Sequence, residues 1–158
     1  MVLLTLKYTT MKKLLGLVFL MLILVSATSI TSSKLQTTPS LEGTWELINR
    51  YNYDESGVSD TLQNVNGYRQ VKIYSKGKVM WTRYSPDDPA EWFGYGSYTN
   101  TANELEERLE YGSAAMMGIQ DTVKVFKFEL ILDDDTYSQI SVDDDGKRYF
   151  AENYRRID

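Results

Sequence analysis

Short runs of alternating apolar and polar residues follow one another from residue 44 to the end of the chain, and each run ends at a turn signal. Alternation with a period of two, in segments rich in Tyr, Val, Ile and Thr, predicts half-buried β-strands. Successive short strands of this kind are typical of an antiparallel barrel or sandwich. Eight strands are predicted, over residues 44–53, 68–75, 78–85, 92–101, 104–111, 122–132, 136–142 and 147–157.

The breaks between the predicted strands have local causes. Residues 75–77 (SKG) predict a tight hairpin, because Gly adopts positive φ without steric cost. The acidic runs 133–135 and 143–146 bracket a seven-residue strand, since Asp favours turns over strand pairing. Pro86 and Pro89 predict a longer loop between the third and fourth strands.

Residues 103–111 are compatible with two structures. Asn103 with a Glu three residues later, and Leu105 with Leu109 at helical spacing, favour a capped helix. Leu105, Glu107, Leu109 and Tyr111 also alternate as one face of a strand. Both alternatives remain open on the pattern alone.

The N-terminal region is typical of an export signal. Lys12 and Lys13 precede an apolar run over residues 14–25, and Ser26 and Ala27 supply the small residues that a signal peptidase requires. The apolar run is shorter than the about 20 residues of a spanning helix. We therefore expect residues 1–27 to be a signal peptide cleaved after Ala27, and the product to be secreted or periplasmic, without membrane insertion.

Two further segments are expected after this signal. Residues 28–40 are rich in Ser and Thr and have no apolar periodicity, so they are interpreted as a flexible linker. Residues 41–158 then form one domain, because the 131 residues after the signal suffice for one domain and not for two. The pattern leaves open whether translation begins at Met1 or at Met11.

Charge and composition exclude several classes of function. All 22 Asp and Glu lie beyond residue 27, whereas three of the 17 Lys and Arg precede it, so the net charge after cleavage is 14 minus 22, or −8. An acidic surface repels phosphate backbones, so no nucleic-acid partner is expected. The chain has no Cys and no His. Thiolate or imidazole ligation of a metal, and Ser-His-Asp or Cys-His catalysis, are therefore excluded, and no cofactor is expected.

One acidic turn resembles a calcium loop in its spacing. Residues 141–146 with Glu152 match part of that pattern, but Ser141 stands at the first ligand position and the flanks are predicted strands instead of helices. The segment is interpreted as a solvated hairpin, and no metal site is expected.

Five segments carry a resemblance to a known family. They are residues 41–47 (LEGTWEL), 79–83 (VMWTR), 94–99 (GYGSYT), 105–111 (LEERLEY) and 151–157 (AENYRRI). With these segments the chain resembles the calycin superfamily, and within it the small secreted lipocalin-like domains of bacteria. The resemblance implies an all-β fold, an eight-stranded up-and-down antiparallel β-barrel. It also favours the strand over the helix for residues 104–111.

The resemblance implies a structural latch between the two ends of the domain. In the family, an Arg from the last strand lies over the Trp of the first strand and closes one end of the barrel. The matching residues here are Trp45 and Arg156. Arg156 is preferred to Arg155 because it shares a strand face with Phe150 and Tyr154.

Five residues are candidates for the barrel interior. Trp81, Tyr98 and Phe128 would supply an aromatic wall, with space left on the strand that carries Gly94 and Gly96. A charge inside a barrel is costly unless it is paired or used. Three interpretations of Arg83 and Glu107 therefore remain open: their strand faces are misassigned, they pair with each other, or they hold the polar head group of a ligand.

These observations predict a secreted or periplasmic lipocalin-like protein that binds a small hydrophobic or amphipathic ligand in the barrel lumen. No catalytic residues are assigned, and the protein is not expected to be an enzyme. One alternative is a non-catalytic interaction module with a filled barrel, which uses its acidic rim and the loops around residues 92–95 to contact another cell-envelope protein. A remote alternative is a hydrolase or isomerase based on carboxylates.

Overall fold

A computed structural model describes residues 39–158 of the chain. The expected signal peptide over residues 1–27 lies outside the described residues, as does the expected linker except for its last two positions. Within the described part, no helix is long and apolar enough to cross a membrane.

The fold is an antiparallel sheet of nine strands with one short helix. The elements in chain order are β1 (Gly43–Asp54), β2 (Gly57–Gln63), β3 (Arg69–Ser75), β4 (Lys78–Ser85), β5 (Asp88–Asn100), β6 (Glu104–Gly112), α1 (Ala114–Gln120), β7 (Val125–Leu132), β8 (Thr136–Val142) and β9 (Arg148–Arg156). The strand order is β2-β1-β3-β4-β5-β6-β7-β8-β9, and β9 also pairs with β1, which closes the strands into a ring. The all-β antiparallel prediction is confirmed.

The predicted count of eight strands is not confirmed, because the sheet has nine. The strand absent from the prediction, β2, pairs only with the second half of β1, whose first half pairs with β3. Six of the seven residues of β2 are exposed, so the burial that produces an alternating pattern is missing there. Only its hairpin with β1 specifies it as a strand.

The long loop expected between β4 and β5 is not present. Pro86 and Pro89 do not mark a long loop, because β4 and β5 form a hairpin in which Ser85 pairs with Asp88. Pro89 lies at the start of β5, a position at which the missing N–H of proline is tolerated.

Residues 114–120 form a helix that was not predicted, and β7 consequently begins at Val125 instead of residue 122. Ser113 caps this helix by accepting a hydrogen bond from the backbone N–H of Met116. A seven-residue helix makes only about two turns, too few to establish a clear apolar period.

Residues 104–112 form strand β6, so the strand alternative for this segment is confirmed. Leu105, Glu107 and Leu109 are buried, and the residues between them are more exposed. Burial along one strand face therefore prevails over the helical spacing of Leu105 and Leu109.

An aromatic cluster forms the centre of the hydrophobic core. Trp45, Tyr74, Tyr98, Tyr137 and Tyr154 are all buried in it. The rings of Tyr137 and Tyr154 stack with centroids 4.7 Å apart, and Trp45 meets Tyr137 edge to face at 4.9 Å. Tyr74 and Tyr98 make a further edge contact at 4.8 Å. Offset and edge geometries of this kind are the favourable ones for aromatic pairs.

We expect the stability of the protein to fall as the pH rises above about 10. Burial raises the pKa of Tyr74, Tyr137 and Tyr154 well above the usual value of about 10. The unfolded chain then releases protons that the folded protein keeps, so the free energy of unfolding decreases with pH in that range and is at its full value below it. Urea unfolding at several pH values between about 8 and about 11 measures the effect.

Two variants serve as controls for this pH dependence. Tyr154→Phe should make the decrease shallower, because it removes one of the buried phenols. Tyr84→Phe should leave the decrease unchanged, because Tyr84 is exposed. If all tyrosines ionised at their ordinary pH while the protein remained folded, as followed by tyrosinate absorbance, the expectation would be wrong.

Candidate functional site

A guanidinium group from the last strand lies over an aromatic ring of the first strand. Arg156 Cζ lies 4.1 Å from the centroid of the Trp45 ring, and Trp45 is completely buried. Arg156 also donates hydrogen bonds to three backbone carbonyl oxygens, those of Ser40, Glu42 and Asp134, at 2.7 to 2.9 Å. The side chain therefore joins the start of the domain to its last strand.

Gly43 makes this arrangement possible. Its φ is +134°, a conformation that side-chain-bearing residues rarely adopt, and a Cβ at this position would overlap Arg156 Nη1. A glycine is thus required at position 43, two residues before Trp45, because any side chain there would collide with the guanidinium group that lies over the Trp45 ring.

A cavity of about 180 Å³ lies inside the ring, further along the same strands than the aromatic core. On β3, for example, Lys72 and Gln70 line the cavity at positions two and four residues from the core residue Tyr74. The apolar wall includes six side chains from β4, β5, β6 and β7: Val79, Trp81, Trp92, Leu109, Phe126 and Phe128.

Four of the five predicted interior residues line this cavity. They are Trp81, Arg83, Glu107 and Phe128. Tyr98 does not line it, because its ring packs in the aromatic core against Tyr74. The candidates therefore divide between a cavity wall and a packed core.

The space expected beside Gly94 and Gly96 is largely filled. A Cβ on Gly94 would lie 2.8 Å from Trp81 Nε1 and 2.9 Å from Leu109 Cδ1, so these side chains occupy the room that the missing Cβ leaves. Gly96 is one of the residues that line the cavity. Gly94 thus allows the Trp81 indole to lie close to the backbone of β5 and to act as a wall.

A buried ion pair forms part of the cavity floor. Lys72 Nζ donates to both carboxylate oxygens of Glu107, at 3.0 and 3.1 Å, and to Gln139 Oε1 at 2.7 Å. The Tyr74 hydroxyl donates to Glu107 Oε1 at 2.5 Å. The side chains of Lys72 and Glu107 are 4% and 9% exposed. Glu107 therefore pairs with Lys72, which contradicts the alternative in which Arg83 and Glu107 pair with each other.

A second carboxylate, that of Glu152, is held on the same floor by neutral donors. Gln70 Nε2 donates to Glu152 Oε1 at 3.2 Å, and Gln139 Nε2 and the Tyr154 hydroxyl donate to Oε2 at 2.8 and 2.7 Å. Gln139 links the two carboxylates, because its amide oxygen accepts from Lys72 while its nitrogen donates to Glu152. Both carboxylates of the floor are hydrogen-bonded within the protein.

Arg83 differs from these floor residues. Its guanidinium Cζ lies 4.2 Å from the centroid of the Trp92 ring, and its Nη2 is 3.6 Å from Asp88 Oδ2. Trp92 Nε1 donates to the same Asp88 oxygen at 2.8 Å. Hydrogen bonds from Ala90 N–H and Trp92 hold the pKa of Asp88 below its usual range. Among residues 39–158, only Asn64 Oδ1 and Arg83 Nε are buried side-chain polar atoms without a hydrogen-bond partner.

Sequence reasoning missed five polar residues of the cavity: Gln70, Lys72, Arg108, Gln139 and Glu152. A signal for two of them was present in the hairpin at residues 75–77. Its register places Lys72 opposite Trp81 and Gln70 opposite Arg83, and directly paired residues of an antiparallel ladder share a sheet face. Assigning Trp81 and Arg83 to the interior therefore assigns Lys72 and Gln70 to it as well.

The part of the chain that the structure describes holds no group of three or more Asp or Glu side chains arranged to bind a metal ion. In the acidic turn over residues 143–146, Asp143 Oδ1 accepts hydrogen bonds from the backbone N–H groups of Asp145 and Lys147. The Asp143 carboxylate thus stabilises the turn by accepting hydrogen bonds from its backbone.

The comparisons with known proteins report no match to a family model and no match among curated proteins. Among solved structures, the chain is similar to an uncharacterized protein from Bacteroides eggerthii DSM 20697. The TM-score is 0.48 and the sequence identity 14%, and the match covers 75% of this chain and 100% of that one.

Proposed function

We propose that this protein is a non-catalytic, exported binding protein with a lipocalin-like barrel that holds a small, largely apolar ligand in its interior cavity. The calycin resemblance of the sequence motifs and the closure of the ring between β1 and β9 support a barrel of this kind. The contact of Arg156 with Trp45 supports the same assignment, because it lies where the family places its closing Arg.

The observation that carries the proposal is the cavity itself. Aromatic and aliphatic side chains form most of its wall, and polar groups converge on its floor, which is the usual character of a ligand site. Its volume of about 180 Å³ is close to the roughly 150 Å³ of an apolar cavity that accepts benzene. A ligand with one ring therefore fits better than a long acyl chain.

The polar floor favours binding over catalysis. Glu107 is held by Lys72 and Tyr74, and Glu152 by Gln70, Gln139 and Tyr154. A general acid or base must be able to reach the substrate proton with its own lone pair or proton. These carboxylates already use their oxygens in hydrogen bonds within the protein, so the carboxylate-based hydrolase or isomerase is the least supported alternative.

A row of exposed apolar residues supports the interaction module as a second candidate. Ile73, Met80, Tyr95 and Tyr111 pair in succession across β3, β4, β5 and β6 and share the outer face of the ring. Ile73, Met80 and Tyr111 are 44%, 50% and 56% exposed. Contiguous exposed apolar surface of this kind is typical of protein contacts.

Binding of a neutral one-ring compound tests the primary proposal. We expect toluene to bind saturably, and Trp81→Ala to weaken it by about tenfold, or about 1.4 kcal/mol, because the indole forms part of the wall. NMR titration of the tryptophan indole signals measures both affinities. Tyr84→Ala is the matched control, since Tyr84 is an exposed aromatic residue of the same strand.

Two outcomes would contradict this proposal. The first is the absence of saturable binding by any one-ring compound, which would leave the outer apolar row as the better-supported functional surface. The second is an equal effect of Trp81→Ala and Tyr84→Ala, which would place the bound compound outside the cavity.

A further inference from the structure

We infer that the ligand of the cavity is a one-ring aromatic carboxylate whose anionic group is bound by Arg83. This inference rests on the proposed binding function and adds the chemical class of the ligand. It starts from one unsatisfied side chain: Arg83 lines the cavity, its Nε is buried without a hydrogen-bond acceptor, and its ion pair with Asp88 is long, with 3.6 Å between Nη2 and Oδ2.

Buried donors in folded proteins are almost always hydrogen-bonded, and one left unpaired is a cost to the folded state. The other charged groups at the floor already have hydrogen-bond partners within the protein. Lys72 is shared by Glu107 and Gln139, and the oxygens of Glu152 accept from three donors. The polar group that the cavity lacks is therefore an acceptor, and it is lacking at Arg83.

The guanidinium group of Arg83 is held in place before any ligand arrives. Its Cζ lies 4.2 Å from the centroid of the Trp92 ring. Asp88 Oδ2 accepts a hydrogen bond from the Trp92 indole N–H, and the same oxygen lies 3.6 Å from Arg83 Nη2. Asp88 is close enough to orient the group electrostatically but too far to accept a short hydrogen bond from it. The side chain is 29% exposed although Nε is buried, so a ligand would contact the terminal nitrogens of the guanidinium. A planar guanidinium presents its donors as a fork that matches the two oxygens of a carboxylate.

The dimensions of the cavity limit the rest of the ligand. About 180 Å³ accommodates one ring and a compact substituent, and Trp81, Phe126 and Phe128 provide flat apolar surfaces for that ring. Benzoate therefore has the size, the apolar ring and the acceptor that the cavity requires.

Titration with benzoate and with toluene tests the inference, since the two differ in the anionic group. We expect benzoate to bind at least tenfold more tightly than toluene. Arg83→Met should abolish this preference by weakening benzoate at least tenfold more than it changes the affinity for toluene. Arg83→Gln provides a second neutral variant if Arg83→Met does not fold. Arg69→Met is the charge-matched control, because it removes an exposed Arg from the neighbouring strand.

The possible results separate the inference from the proposed function. If toluene binds in the cavity and benzoate binds no more tightly, or if Arg83→Met and Arg69→Met weaken benzoate equally, the inference is overturned and the proposed function stands. If neither compound binds, both are overturned. Phenyl phosphate is titrated in parallel. If it binds at least tenfold more tightly than benzoate, the assignment of a carboxylate as the anionic group of the ligand is wrong and a phosphate ester replaces it.

Discussion

Replacing Lys72 by Met should lower the free energy of unfolding by about 3–5 kcal/mol. The substitution keeps much of the side-chain volume but leaves the Glu107 carboxylate without its counter-ion in a nearly solvent-free site. Removing one member of a buried ion pair is costly because an uncompensated charge stays in the low-dielectric interior. Urea unfolding at neutral pH measures the loss.

The double variant Lys72→Met/Glu107→Gln provides the decisive comparison. It removes both charges, so a large part of the stability lost in Lys72→Met should be recovered. The exposed pair of Lys78 with Glu110 supplies the matched control, and Lys78→Met should cost much less than Lys72→Met because solvent screens the exposed pair. Equal losses in the Lys72 and Lys78 variants would contradict the importance of burial for the Lys72 pair.

Replacing Trp45 by Ala should cost about 3–5 kcal/mol of stability, as expected for truncation of a large, fully buried aromatic residue. The indole also donates from Nε1 to the carbonyl oxygen of Leu41 at 2.8 Å and contacts the ring of Tyr137. The loss should appear as a lower urea midpoint with a similar denaturant dependence, because the remaining strands still fold together.

A double-mutant cycle isolates the contact between Trp45 and Arg156. Arg156→Met should also destabilise the protein, and the two losses should be non-additive, with a coupling of about 0.5–2 kcal/mol from the cation–π contact. Arg155→Met is the control, because Arg155 pairs with Glu46 at an exposed position and should show no coupling to Trp45. A coupling near zero for Arg156 would contradict the latch even if both single losses were large.

The strands and turns could be predicted where their causes are local. The turn at residues 75–77 has Lys76 at φ 49° and Gly77 at φ 75°, as the hairpin sequence requires. Strand β2 could not be predicted, because it buries almost nothing and exists through pairing with β1. The helix over residues 114–120 was missed because it is too short for a clear period.

The inside of the ring was only partly predictable from the pattern. On β3, the apolar residues Val71 and Ile73 alternate with Gln70, Lys72 and Tyr74, so hydrophobicity alone favours the wrong face. In the structure Gln70, Lys72 and Tyr74 are buried, while Val71 and Ile73 are partly or largely exposed. A polar face can be buried here because Glu107, Gln139 and Tyr154 satisfy its hydrogen bonds from other strands.

The sequence by itself determined the antiparallel β class and the positions of several turns, and its lack of Cys and His excludes chemistry that needs a thiolate or an imidazole. These properties depend on local periodicity and on which side chains exist at all. Only the tertiary structure decided that Lys72 meets Glu107, 35 residues away, that Arg83 Nε has no acceptor and that a cavity of about 180 Å³ remains. Such features depend on how side chains from separate strands pack together inside the ring, and the residue pattern within one strand does not determine that packing.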